Sequence, residues 1–182
     1  MIRGLLGLGM LCVLMGCASK AVSIQAAKPV RIVNAEGYQL PVYDFEAFKP
    51  MLDFPEGETV KVINFWATWC APCVQELPVF EKLHAAYRKQ GVEVTLVSLD
   101  FPDQIEARLI PYILKNQLAA QVLLLDDPHS NVWIPQVSES WSGAIPATLL
   151  IAEDAYRFYE QSFDYRSLER EVLALNPNLN SN

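Results

Sequence analysis

Trp69-Cys70-Ala71-Pro72-Cys73 stands between an apolar run, Val60-Lys61-Val62-Ile63-Asn64-Phe65-Trp66, and a helical stretch, Val74-Gln75-Glu76-Leu77-Pro78-Val79-Phe80-Glu81-Lys82-Leu83. The first run reads as a strand and the second as a helix, so two cysteines fall at a strand-to-helix junction. Unpaired N–H groups and the helix dipole at such a junction favour a thiolate. This is the arrangement that thiol–disulfide exchange needs, and it requires neither a metal nor an organic cofactor.

Outward from this block, the pattern predicts strands over 59–66 and 92–99, joined by a helix over 71–90 that Pro78 should kink. On the N-terminal side, Val30 to Val33 reads as a short strand and Glu36-Gly37 as a turn. Asp44 to Leu52 reads as a short helix capped by Asp44, with Pro50 near its end. On the C-terminal side, Ile105, Leu109, Ile113 and Leu114 recur at helical spacing, which predicts one helix over 102–116, bent at Pro111. Val122 to Leu125 is a buried strand, and a short helix runs from His129 to Gln136. Strands over 147–152 and 156–162 make a hairpin about Glu153-Asp154, and a helix over 165–175 closes the domain. These elements assemble into an α/β sandwich with a central mixed β-sheet flanked by helices.

Arg3 is the only charged side chain in residues 1–16, and the apolar run from Gly4 to Gly16 is too short to span a bilayer. This is a signal-peptide pattern. It ends in Leu14-Met15-Gly16-Cys17, which resembles the lipobox of bacterial lipoproteins, whose cysteine is lipidated. An ordinary secretory signal or an uncleaved anchor is the alternative. The chain thus divides into a signal peptide over 1–16, a tether over 17–29, one domain over 30–176 and a polar tail over 177–182. Of the four cysteines, Cys12 would leave with the signal and Cys17 would carry lipid, so Cys70 and Cys73 remain as one pair. An exported chain with a single close pair is not using disulfides as a scaffold. Net charge is −7, which argues against nucleic-acid binding and against electrostatic binding to a membrane. Membrane attachment would come from lipid on Cys17. Ala18-Ser19 follow it without the Asp that in enteric-type bacteria retains lipoproteins at the inner membrane, and that resemblance favours the outer membrane over the inner, facing the periplasm.

Phe65-Trp66-Ala67-Thr68-Trp69-Cys70-Ala71-Pro72-Cys73, Pro78 five residues on, and Gly143-Ala144-Ile145-Pro146-Ala147-Thr148 together resemble the thioredoxin superfamily. The N-terminal extension, Glu76-Leu77-Pro78 and an insertion between 99 and 126, before the third core strand, resemble its TlpA/ResA-like branch. The resemblance covers roughly residues 30–175. It implies a thioredoxin-like sandwich and an oxidoreductase. It also implies a cis Pro146 beside the sulfurs and an Ile145 backbone that pairs with extended substrate. Trp69 would shield one flank of the disulfide. Pro72 sits at the helix start, where its missing N–H costs nothing.

Cys70 is the expected nucleophile and Cys73, one turn into the helix and more buried, the resolving thiol. An inert staple is disfavoured because so short a loop constrains the unfolded chain little. Zinc would need two further ligands, and His84 and His129 have no motif spacing around them. Where thioredoxins carry a buried acid in the preceding strand, this chain has Asn64. Glu76, three residues after Cys73, is the alternative proton relay, or else an ordinary first-turn glutamate. Trp66 is a core residue or a site residue; Trp133 and Trp141 read as core in preference to a partner groove.

No histidine lies between the cysteines to stabilise the Cys70 thiolate, which leans towards a reductase. The implied partners are disulfide-containing exported proteins, apocytochrome c among them, and a membrane thiol electron donor. An oxidase or isomerase is the runner-up. The related peroxiredoxins place their reactive cysteine in a different local motif. A Sco-like copper-binding chaperone, the competing class, wants C-x-x-x-C and a distant ligating histidine.

Overall fold

The computed structural model describes residues 27–179. Its strands are β1 (Arg31–Ala35), β2 (Tyr38–Tyr43), β3 (Val60–Trp66), β4 (Val92–Ser98), β5 (Gln121–Leu125), β6 (Ala147–Ala152) and β7 (Ala155–Tyr159). Its α-helices are α1 (Phe45–Phe48), α2 (Ala71–Tyr87), α3 (Ile110–Asn116), α4 (Ser130–Val137) and α5 (Tyr165–Leu173). The strands form one mixed sheet in the order β1-β2-β5-β4-β3-β6-β7. β3, β4, β5 and β2 run parallel, while β1, β6 and β7 pair antiparallel with their neighbours. The signal segment and Cys17 lie outside the described residues.

Strand periodicity explains the two cores. In β3, Val60, Val62 and Trp66 point to one face with Leu77, Phe80 and Leu83 of α2. Ile63 and Phe65 point to the other, with Phe45, Phe48, Trp133 and Trp141. Both faces are covered, so β3 is buried along nearly its whole length, as a central strand between two helical layers must be. Asn64 lies at the one polar position of this strand's buried run, and it sits at the level of the cysteines' helix. Trp66, fully buried and 5.6 Å from the Tyr112 ring, is core.

The structure adds a strand, divides an expected helix and carries the packing past residue 176. The segment Tyr38 to Tyr43 is a strand, β2, that bridges β1 to β5. The expected helix over 102–116 is three pieces: a 3-10 turn (Pro102–Gln104), a π turn (Ile105–Leu109) and α3. Pro111 cannot donate an N–H to the turn before it, so the hydrogen-bond register changes upstream and α3 restarts with the proline in its first turn. Pro78, by contrast, sits exposed inside α2 without ending it. The domain also runs past residue 176: Leu179 is buried in the main core, and Asn176 and Asn178 donate to Glu58 at 2.6 and 2.7 Å.

Candidate redox site

Cys70 is the N-cap of α2, in extended conformation, and its sulfur accepts the backbone N–H of Cys73 at 3.3 Å. A sulfur in that position takes one of the donors a helix start leaves unpaired, and its negative form is favoured there. Cys70 and Cys73 are joined in a disulfide, with Cys70 6% exposed and Cys73 fully buried. The outer sulfur is thus the one a partner can reach and the inner one is reached only from Cys70.

A second loop closes on the first. The Ile145–Pro146 peptide is cis, and the Ile145 carbonyl oxygen lies 3.6 Å from Cys70 Sγ. This loop is held from both sides: Trp141 Nε1 donates to the Ala144 carbonyl at 2.8 Å, and Ser142 donates its N–H and its hydroxyl to Glu160. Gly143 turns with φ +94°, a backbone conformation that calls for glycine, and a Cβ there would lie 3.2 Å from Ile134 Cδ1. Pro146 is buried and Ile145 half-buried, while Trp69 and Pro72 stand exposed at the rim.

Glu76 follows Cys73 by one helical turn and is 3% exposed. Its Oε1 accepts from Asn64 Nδ2 at 2.9 Å and its Oε2 from the Phe163 backbone N–H at 2.9 Å. Asn64 Nδ2 also reaches Thr148 Oγ1 at 3.2 Å, whereas Asn64 Oδ1 is buried with no partner among the described residues. Burial pushes the Glu76 carboxyl above the usual carboxylate range, against the two hydrogen bonds, which pull it down. The amide that replaces a buried acid in β3 therefore meets a buried acid delivered by α2.

The sequence reading missed a second buried carboxylate. Asp100, just after β4, is 3% exposed and accepts from the Thr68 N–H at 3.0 Å, the Thr68 hydroxyl and the Ser98 hydroxyl. It ties the turn that presents Trp69 and Cys70 to the end of the neighbouring parallel strand. The signal was available: Ser98-Leu99-Asp100 ends a strand that must lie beside 60–66. His129 is exposed before α4, with Nδ1 3.2 Å from Asp127, and His84 sits on α2; the structure brings neither histidine into the set of contacts around the sulfurs.

The AhpC/TSA family model matches residues 35–155, more than half of the chain. A protein of Oceanobacillus iheyensis named thiol-disulfide oxidoreductase ResA is 53% identical over 45 residues, which are 25% of this chain and 23% of that one. The ResA of Halalkalibacterium halodurans is 34% identical over 74 residues, 36% of this chain and 42% of that one. The chain thus spans less than half the length of these curated relatives. Among solved structures, a thioredoxin-related protein from Neisseria meningitidis serogroup B superposes with a TM-score of 0.56 at 21% identity, over 65% of this chain and 86% of that one. That likeness carries the fold, which is thioredoxin-like.

Proposed function

The chain belongs to the AhpC/TSA family, and within it we propose that this protein is an extracytoplasmic thiol–disulfide oxidoreductase that reduces disulfides in exported proteins. The observation that carries the reading is the asymmetry of the sulfur pair: an accessible N-cap sulfur in Cys70 and a fully buried partner in Cys73, beside the Ile145 carbonyl.

The reaction is a two-electron exchange. The Cys70 thiolate attacks one sulfur of a substrate disulfide; the Cys70–substrate bond forms and the second substrate sulfur leaves as a thiolate that takes a proton. The Cys73 thiolate then attacks Cys70, the internal disulfide forms, and the first substrate sulfur leaves in turn. The substrate is reduced and the Cys70–Cys73 pair oxidised, so a membrane thiol donor must return two electrons for each cycle. Glu76 takes the Cys73 proton in this scheme, its burial raising its affinity for a proton. Trp69 and Pro72 form the rim, with Ile145 and then Pro146 behind it, against which an extended substrate segment lies.

Attachment through lipid on Cys17, at the periplasmic side of the outer membrane, completes the reading. Cys17→Ala should move the protein from the membrane fraction to the soluble fraction of the cell envelope; unchanged fractionation removes the lipid anchor from the scheme. The decisive experiment for direction is the reduction potential of the Cys70–Cys73 pair in a chain beginning after Cys17. A value at or below about −220 mV supports the reductase, and one near about −120 mV makes the protein an oxidant instead.

A further inference from the structure

A groove of about 630 Å³ opens beside the sulfur pair, at the carboxyl ends of the parallel strands β4 and β5, the edge at which parallel α/β sheets present ligand sites. Trp69, the residue before Cys70, lines it together with Phe101; their rings stack with centroids 6.3 Å apart. Both are exposed, at 49% and 62%, an unusual pair of large apolar side chains to leave in water side by side. Trp133 lines the groove deeper in, and Gly143, two residues before Ile145, lines it from the other loop. The groove therefore touches both segments that flank the Cys70 sulfur.

Its charge is one-sided. Among the described residues that line it, the charged ones are Asp100, Asp126 and Asp127, and none is basic. Asp100 is buried and engaged by Thr68 and Ser98, and Asp127 accepts the backbone N–H groups of Phe45 and His129. Asp126 is the accessible one, and it already holds a guanidinium: Arg31, from β1, pairs with it at 3.1 Å, both side chains partly in water. Aromatic walls beside carboxylates favour a cation, by ring quadrupole and by charge together.

We propose that this groove binds an arginine or lysine of the disulfide-bearing protein substrate, carried on the extended segment next to the attacked cysteine. The protein then selects basic over acidic sequence around a disulfide. The sulfur chemistry in this statement rests on the function proposed above; the groove's preference for a cation does not. An extended chain advances about 3.3 Å per residue, so a side chain three residues from the attacked cysteine stands about 10 Å along the segment from it. Arg31 acts as a resident competitor for Asp126.

The test uses two peptides with one intramolecular disulfide, identical except for arginine or glutamate at the third position from the cysteine. With the reduced protein at low salt, kcat/KM should favour the arginine peptide by about fivefold or more, and the ratio should shrink at high salt. Asp126→Asn should bring the ratio towards one, Phe101→Ala should lower it, and Arg31→Ala, which releases Asp126, should raise it above wild type. The ratio is taken between two peptides on one protein, so a general loss of redox competence cancels. A wild-type ratio near one at low salt, or a ratio that neither Asp126→Asn nor Arg31→Ala moves, overturns the proposal. If the protein reduces neither peptide nor a small aromatic disulfide, the redox reading is what fails. The groove is then judged by tryptophan-fluorescence titration with cysteine-to-serine forms of both peptides: tighter binding of the arginine form, lost in Asp126→Asn, sustains it, and equal binding overturns it.

Discussion

Asn64 Nδ2 and Glu76 Oε1 lie 2.9 Å apart, joining the central strand to the redox helix by a buried hydrogen bond. The strand supplies a donor where an acid is expected, and the helix supplies the acid. A buried carboxylate thus reaches this strand from the helix and is held there by the strand's own amide.

Glu76→Gln should slow resolution of the mixed disulfide by about tenfold or more, because a general base contributes about 10²–10⁴ in favourable cases. The glutamine also presents one acceptor where two donors, Asn64 Nδ2 and the Phe163 N–H, now converge. The measurement is the rate of exchange in a rapid-mixing experiment over about pH 6 to 9; identical pH profiles for the two proteins would remove Glu76 from the proton path.

Stability should carry the same signature. The folded Glu76 holds its proton more tightly than the unfolded chain does, since burial raises its pKa. Its contribution is therefore fullest below the ordinary glutamate range and declines as pH rises through the raised folded value, levelling off above it. Urea midpoints of the wild type minus those of Glu76→Gln should fall with rising pH over that window, and a flat difference would contradict the assignment.

Cys73→Ser should trap Cys70 in a stable adduct with a disulfide substrate, and Cys70→Ser should trap nothing, since Cys73 is fully buried and Cys70 alone reaches the surface. Intact-mass measurement reads the result directly; equal adducts on both variants would mean that the roles are shared.

Asp100→Ala should destabilise the protein by about 2–4 kcal/mol, because it leaves the Thr68 N–H and two hydroxyls without their common acceptor. Denaturant unfolding gives the number, and a loss under about 0.5 kcal/mol would show that water replaces the carboxylate at no cost.

Two tryptophans three residues apart should respond in opposite ways. Trp66→Ala empties a fully buried site and should cost about 3–5 kcal/mol. Trp69→Ala removes a half-exposed ring and should cost under about 1 kcal/mol while weakening protein substrates. Paired unfolding and turnover measurements separate the two, and comparable stability losses would show Trp69 to be structural.

Much of this architecture is legible in the chain because periodicity and punctuation agree: the apolar run 60–66, the cap at Asp44 and the hairpin 147–159 all sit where local chemistry places them. Cys70, Cys73 and the Ile145-Pro146 loop are legible for the same reason, as short motifs with a fixed mechanical meaning. β2 was not, because Pro41 interrupts it and its pairing to β5 spans only Val42 and Tyr43, so nothing local marks it as the bridge of the sheet. The π turn ahead of Pro111 was hidden because helical spacing of apolar residues survives a local change of hydrogen-bond register. Phe163 reaches the site from a distant chain position, and only the packed domain brings it there.

The bond from the Phe163 N–H to Glu76 spans 87 residues of sequence. A chain made from its N-terminus exposes both cysteines long before that donor exists. Until the segment entering α5 docks, Glu76 lacks the Phe163 N–H that holds one of its oxygens. Completion of the site waits on the segment leading into α5, and a chain cut before Phe163 would keep its sulfurs while losing one of the two donors to its acid.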